Sequence, residues 1–315
     1  MDFIWQAMNE KTRLKTWQRF SLTLSCTLTA IFSFANLPAW AGDPFRVENP
    51  RDIGDLTETA FETIFLQGDY QTVREQLNLA EQDEEKEPLV YALQASVAYT
   101  DEDWESIKKY AAKTLEAALA LSYEDPVRGN LYLAVGHFLE GAYIYEKEGA
   151  VAAINKLQLV FKYLDLAEDN DPTDPELNLI KGYIDLLLAV NLPFSSPEQA
   201  ITRFKDYAAP DYLVNRGLAV AYRDLKQYDN ALDFVDTALA IAPNNPELFY
   251  LKGQILRKIG KNQQKVEVLN EALSHFDRAI TQEGQLPSFV VESLNRERKQ
   301  TQETIDEIKA GTASN

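Results

Sequence analysis

Residues Tyr212 to Asn245 form a 34-residue unit, YLVNRGLAVAYRDLKQYDNALDFVDTALAIAPNN, and a second unit of the same length begins without a gap at Pro246. Within the first unit apolar residues return every three or four positions in two runs. A polar turn separates the runs, and Pro243 stops the second. Two helices of this size each carry one apolar face, and a single pair cannot bury both. Units repeated at such a period therefore have to stack on one another.

The rest of the chain repeats this rhythm less evenly. Asp125-Pro126, Asp174-Pro175, Ser196-Pro197 and Asn245-Pro246 each set a capping side chain before a proline at the first helical position. The cap satisfies a free N–H there, and proline has none to satisfy. Ser196-Pro197-Glu198-Gln199 also supplies a capping-box glutamine. Starts at 54, 88, 126, 175, 212 and 246 give spacings of 34, 38, 49, 37 and 34 residues. The predicted hairpins run over 56–80 with a turn at Gly68-Asp69-Tyr70, over 88–121 with a turn at 101–103, and over 126–168 with a turn near Gly149. The fourth covers 175–209 and carries an insertion at 191–196. Leu192-Pro193-Phe194 in that insertion reads as a loop folded onto the neighbouring hairpin. A last helix over 287–310 has one apolar stripe and many charges, which suits a cap on the end of a stack. Strand signals are nearly absent, with no sustained alternation and no Asn-Gly turn. The fold class is all-α.

The first unit resembles a tetratricopeptide repeat. Leu218, Ala219, Tyr222, Leu225, Tyr228, Ala231, Val235, Ala238, Leu239 and Pro243 stand where that family expects large, small and terminating residues. The second unit keeps Phe249, Gly253, Ile259, Gly260, Leu269, Ala272 and Leu273, but has Lys265 where a small residue is expected. Its second helix is therefore expected to pack loosely. The fourth hairpin keeps Gly182, Ala200 and Phe204, and the first three match only in rhythm. The resemblance implies a right-handed α-solenoid of about six helix-turn-helix hairpins over residues 54–286, closed by the helix 287–310 and a short tail, 311–315. More narrowly, the run Lys181 to Ile201, KGYIDLLLAVNLPFSSPEQAI, is similar to one in a family of exported tetratricopeptide-repeat proteins of cyanobacteria. That likeness implies a periplasmic or thylakoid-lumen protein and no particular reaction.

At the N-terminus, Lys11, Arg13, Lys15 and Arg19 precede an uncharged run that lasts to Asp43 and contains Pro38 and Ala39-Trp40-Ala41. A basic region, a short apolar region and an A-x-A site describe a secretory signal peptide, with cleavage after Ala41. The alternative is an uncleaved anchor, since the run is just long enough to cross a bilayer. Residues 42–53, GDPFRVENPRDI, lack a helical period and read as a leader or linker. Removing the four basic and two acidic residues of the signal leaves 27 basic against 47 acidic residues, a net charge of −20. Such a surface repels phosphate backbones, which argues against nucleic acid as a partner. No further run of 18 apolar residues follows, so the mature chain is expected not to span a membrane.

The only cysteine, Cys26, lies in the signal. A disulfide framework or a Cys-based zinc site is thereby excluded from the mature chain. His137 and His275 are far apart and read as helix residues. The acidic string 168–174 lacks the glycine and terminal glutamate of a calcium loop and reads as helix capping. Phosphate loops and hydrolase or metalloprotease motifs do not occur, and nothing in the sequence calls for a cofactor. The resemblance puts partner binding on the groove lined by the first helix of each pair. Groove positions map to Arg216, Val220 and Arg223, then to Tyr250, Gln254 and Arg257, a basic island suited to a carboxylate or acidic peptide. The competing reading pairs these arginines with nearby acids such as Asp224 and Asp229. Val220 stands where some relatives use asparagine to clamp a C-terminal carboxylate, which argues against that activity. The function expected is a non-catalytic scaffold for a protein or peptide. A carboxylate-dependent hydrolase of cell-wall glycan and a purely structural envelope protein are the alternatives.

Overall fold

The computed structural model describes residues 42–191 and 197–313. The signal peptide, with Ala39 and Ala41, and the loop 192–196 lie outside the described residues. The described residues are organised as thirteen α-helices with no strand. These are α1 (Asp55–Phe65), α2 (Val73–Asp83), α3 (Pro88–Thr100), α4 (Trp104–Leu121), α5 (Pro126–Glu148), α6 (Ala150–Asn170) and α7 (Pro175–Asn191). They continue as α8 (Glu198–Asp206), α9 (Asp211–Asp224), α10 (Tyr228–Ile241), α11 (Pro246–Gln263), α12 (Val266–Ile280) and α13 (Ser288–Ala313). No helix among the described residues is long and apolar enough to cross a membrane.

Three of the four proline-capped starts are set as the sequence predicts; Ser196 lies outside the described residues, and α8 begins at Glu198 with Pro197 just before it. Asp125 accepts from the Arg128 amide at 3.1 Å, Asp174 from Leu177 at 2.9 Å, and Asn245 from Glu247 at 2.9 Å. Each satisfies one of the free amides of a first helical turn. Glu87 does the same for Leu89 ahead of Pro88.

Successive helices pair as antiparallel hairpins, and each odd-numbered helix also touches the next odd one, from α1 through α13. The odd helices therefore form an inner layer and the even ones an outer layer. Burial follows the layering. Every residue of α3 except Ser96 is buried, whereas α10 buries only Ala231, Val235 and Ala238. A helix buried on several sides needs apolar residues all round, which explains the weak amphipathicity of α3 and α5.

Small residues set the spacing between layers. The Phe204 ring of α8 lies between Gly182 of α7 and Gly217 of α9, and a Cβ on either glycine would come within 2.6 Å of it. Phe276 of α12 fills the same role against Gly253 of α11, where a Cβ would sit 2.5 Å away. The loose packing expected at the second unit is not found. Lys265 stands exposed just before α12, outside the interface, and Leu269, Ala272 and Phe276 behind it are fully buried. The last helix is also more than a lid: α13 packs on α11 and α12 as a seventh inner helix.

The stack closes on itself. The Asn245 side chain, at the start of α11, donates to the carbonyls of Phe65 (3.0 Å) and Leu66 (3.3 Å) at the end of α1. The Tyr70 amide donates to the Gln285 carbonyl at 2.9 Å, and Leu66 packs against Ala238, Ala242 and Leu248. The first hairpin thus meets the last two repeats.

Candidate functional site

The five side chains expected to bind a partner divide into two groups. Arg216 is buried in α9 and ion-paired with Glu247, itself buried in the first turn of α11. The other four form a ladder across α9, α11 and α13. Arg223 donates to Gln254 Oε1 at 3.0 Å and to Asp224 Oδ1 at 2.9 Å. Gln254 Nε2 and Tyr250 Oη both donate to Glu297 Oε1 at 3.1 Å. Arg257 lies 3.7 Å from Glu297 Oε2 and donates to Gln300 at 2.7 Å. A carboxylate does meet these groups, and it comes from the chain's own α13. Val220 is fully buried and reaches no groove.

A larger polar assembly lies at the N-terminal rim of the inner helices. Residues 42–53 pack against this rim. Phe45 and Ile53 are buried, and Phe45 meets Phe61 of α1 edge-on at 5.0 Å between ring centroids. Arg46 reaches Asp174 at 2.5 Å and Glu176 at 3.4 Å, while Arg51 bridges Asp125 at 2.6 Å and Asp174 at 2.8 Å. Glu176, wholly buried, also accepts from Arg128 Nε at 2.9 Å and from the Tyr132 hydroxyl at 2.6 Å. Arg128 forks onto both oxygens of Glu87, at 2.8 and 3.0 Å.

The electrostatics follow from burial and pairing. Burial works against the charge of Arg46, but Glu176, Asp174 and Asp43 outweigh it and hold the guanidinium protonated. Burial also pushes Asp174 up, yet Arg46 and Arg51 pull it further down, below the usual aspartate value. Burial first, then Glu176, places the Tyr132 hydroxyl well above the ordinary phenol range. These groups are saturated with one another, as a buried ionic network must be to persist. They clamp residues 42–53 in place.

Behind the clamp an apolar cavity of about 70 Å³ lies among α1, α3, α5, α7 and α9, with Phe45, Phe61, Leu93, Phe138, Ile180 and Leu213 in its walls. Its walls contain no carboxylate. The hydroxyls it exposes are engaged, Tyr183 with the Leu213 carbonyl at 2.8 Å and Ser96 with the Ala92 carbonyl at 2.8 Å. Glu168, Asp171 and Asp174 of the 168–174 string have partners within the chain. Glu168 pairs with Lys181 and Arg203, Asp171 accepts from Thr173, and Asp174 caps α7. His137 stacks on Tyr163 and His275 on Phe249.

The family model of the tetratricopeptide repeat matches residues 217–245. That match covers most of α9 and all of α10. A comparison with the curated proteins found none that matches the chain. The tetratricopeptide repeat, with its stacked helix pairs, carries the general expectation of a protein-interaction scaffold. Sequence reasoning missed the rim. Its one local signal was the pair Arg46 and Arg51 in a short segment of a strongly acidic chain, facing aspartates already identified as helix caps.

Proposed function

We infer that the protein is an exported, non-catalytic scaffold that binds a protein or peptide partner. The reading rests on the tetratricopeptide repeat matched at 217–245 within a stacked helical array. The signal-like N-terminus supports export, and the likeness of residues 181–201 to exported cyanobacterial proteins supports the periplasm or thylakoid lumen. Assembly of an envelope or photosynthetic complex suits such a scaffold.

The ladder of Arg223, Tyr250, Gln254 and Arg257 offers a partner groups that read a carboxylate, and Glu297 already holds the last three in cis. A partner bringing an acidic side chain to this face competes with Glu297. Cross-linking followed by purification from the native compartment tests the reading. Recovery of a specific partner, reduced when Arg223 and Arg257 are both changed to alanine, supports it. Repeated recovery of no partner by the correctly localised protein contradicts it.

A further inference from the structure

Gly42 is the first residue after the predicted cleavage site, and it is fixed in place. Its carbonyl accepts from the Ile53 amide at 3.3 Å, and the next residue, Asp43, accepts from the amides of Phe45 and Arg51, each at 2.9 Å. A methyl group added to Gly42 would lie 3.4 Å from Glu58 Oε2. The nitrogen of Gly42 shares the same Cα, so it falls within about 6 Å of that oxygen. This is the range over which opposite charges stabilise each other.

The cation that reaches Asp43, Arg46, is paired with it at 3.0 Å and is shared with Asp174 and Glu176. The charged groups acting on Glu58 are Glu62, Asp55 and Asp43, and with burial as the largest cause they all push its carboxyl up. Burial also raises Glu62. Opposite them on α9, Tyr212 has a buried hydroxyl that meets no partner among the described residues, and Glu62 and Glu58 add to the effect of burial on it. A partly buried carboxylate among other acids, next to the Gly42 backbone, is stabilised by a donor with positive charge.

We propose that the α-ammonium group released at Gly42 by cleavage after Ala41 is that donor, and that it pairs with Glu58 to seat residues 42–53 on the rim. The inference rests on the export reading. In the step itself, a signal peptidase adds water across the Ala41–Gly42 amide. Ala41 keeps the new carboxylate, and Gly42 keeps the amine, which takes up a proton.

The test expresses the full chain in a host with the general secretory route and reads the N-terminus by intact mass. Reductive ¹³C-methylation, which keeps the charge, then allows NMR titration of the N-terminal amine in wild type and in Glu58→Gln. The expected result is a chain beginning at Gly42 whose amine titrates at least one unit above its ordinary value of about 7.7–8.0, with the shift lost in Glu58→Gln. A chain beginning at Gly42 with an ordinary amine, or with a shift unchanged in Glu58→Gln, overturns the inference and leaves export standing. A chain exported with any other N-terminus overturns the inference alone, and a chain kept in the cytoplasm overturns both.

Discussion

Asp174 does two things at once: it caps α7 through the Leu177 amide and receives Arg46 and Arg51 from the docked N-terminal segment. Asparagine keeps the cap but not the charge, so Asp174→Asn isolates the ion pairs. The change is expected to cost about 1.5–3 kcal/mol at neutral pH by urea unfolding. The folded-state carboxyl is held below the ordinary aspartate value, so its contribution is present above that value and is lost as pH falls through the folded one. Wild type should therefore lose stability below about pH 4, and Asp174→Asn should lose less over the same interval. At the core of the network, Arg128→Ala leaves Glu87 and Glu176 buried without their guanidinium. A loss of about 3–5 kcal/mol is expected, read from the same unfolding curves. The caps at Asp125, Asp174 and Asn245 were visible in the sequence because capping joins residues two or three apart. The partners of Arg128 lie 41 and 48 positions away, and nothing local announces them.

Helix pairs were legible for a related reason. Period, capping and punctuation act within one hairpin, so the starts at Pro88, Pro126, Pro175 and Pro246 appear in the structure as helix starts. The contacts that space the pairs were partly legible, since Gly182, Phe204 and Gly253 stood at family positions. Their partners Gly217 and Phe276 emerged only from the packing. Gly217→Ala forces a methyl group into the Phe204 ring, and a cost of about 1–3 kcal/mol is expected from thermal or urea unfolding. Phe204→Ala empties the same contact and should cost more, about 3–5 kcal/mol. A smaller loss for Phe204→Ala than for Gly217→Ala would contradict the assignment of Phe204 as the spacer between α7 and α9. The docking of residues 42–53 was not legible. A segment without a period gives no pattern to read, and the ionic partners of Arg51 lie at helix starts more than 70 residues away.

At the scale of the molecule, an array expected to present an open groove instead brings its first hairpin against its last two repeats. Its inner surface is filled by side chains of α1 and of residues 42–53. Closure depends on a few long-range bonds that hairpin rhythm cannot specify. Asn245 carries one of them, in addition to capping α11. Asn245→Ala is expected to cost about 1–2 kcal/mol and to loosen the junction more than the hairpins themselves. The Tyr70 amide reads this junction without any mutation. It lies in the turn between α1 and α2 and donates across the closure to Gln285. Amide hydrogen exchange, resolved by residue, is the deciding measurement. A closed array predicts Tyr70 exchanging as slowly as amides inside α1 and α2, and faster in Asn245→Ala. Exchange of Tyr70 at the rate of an unprotected turn, with both helices still protected, would show an open array and contradict the account.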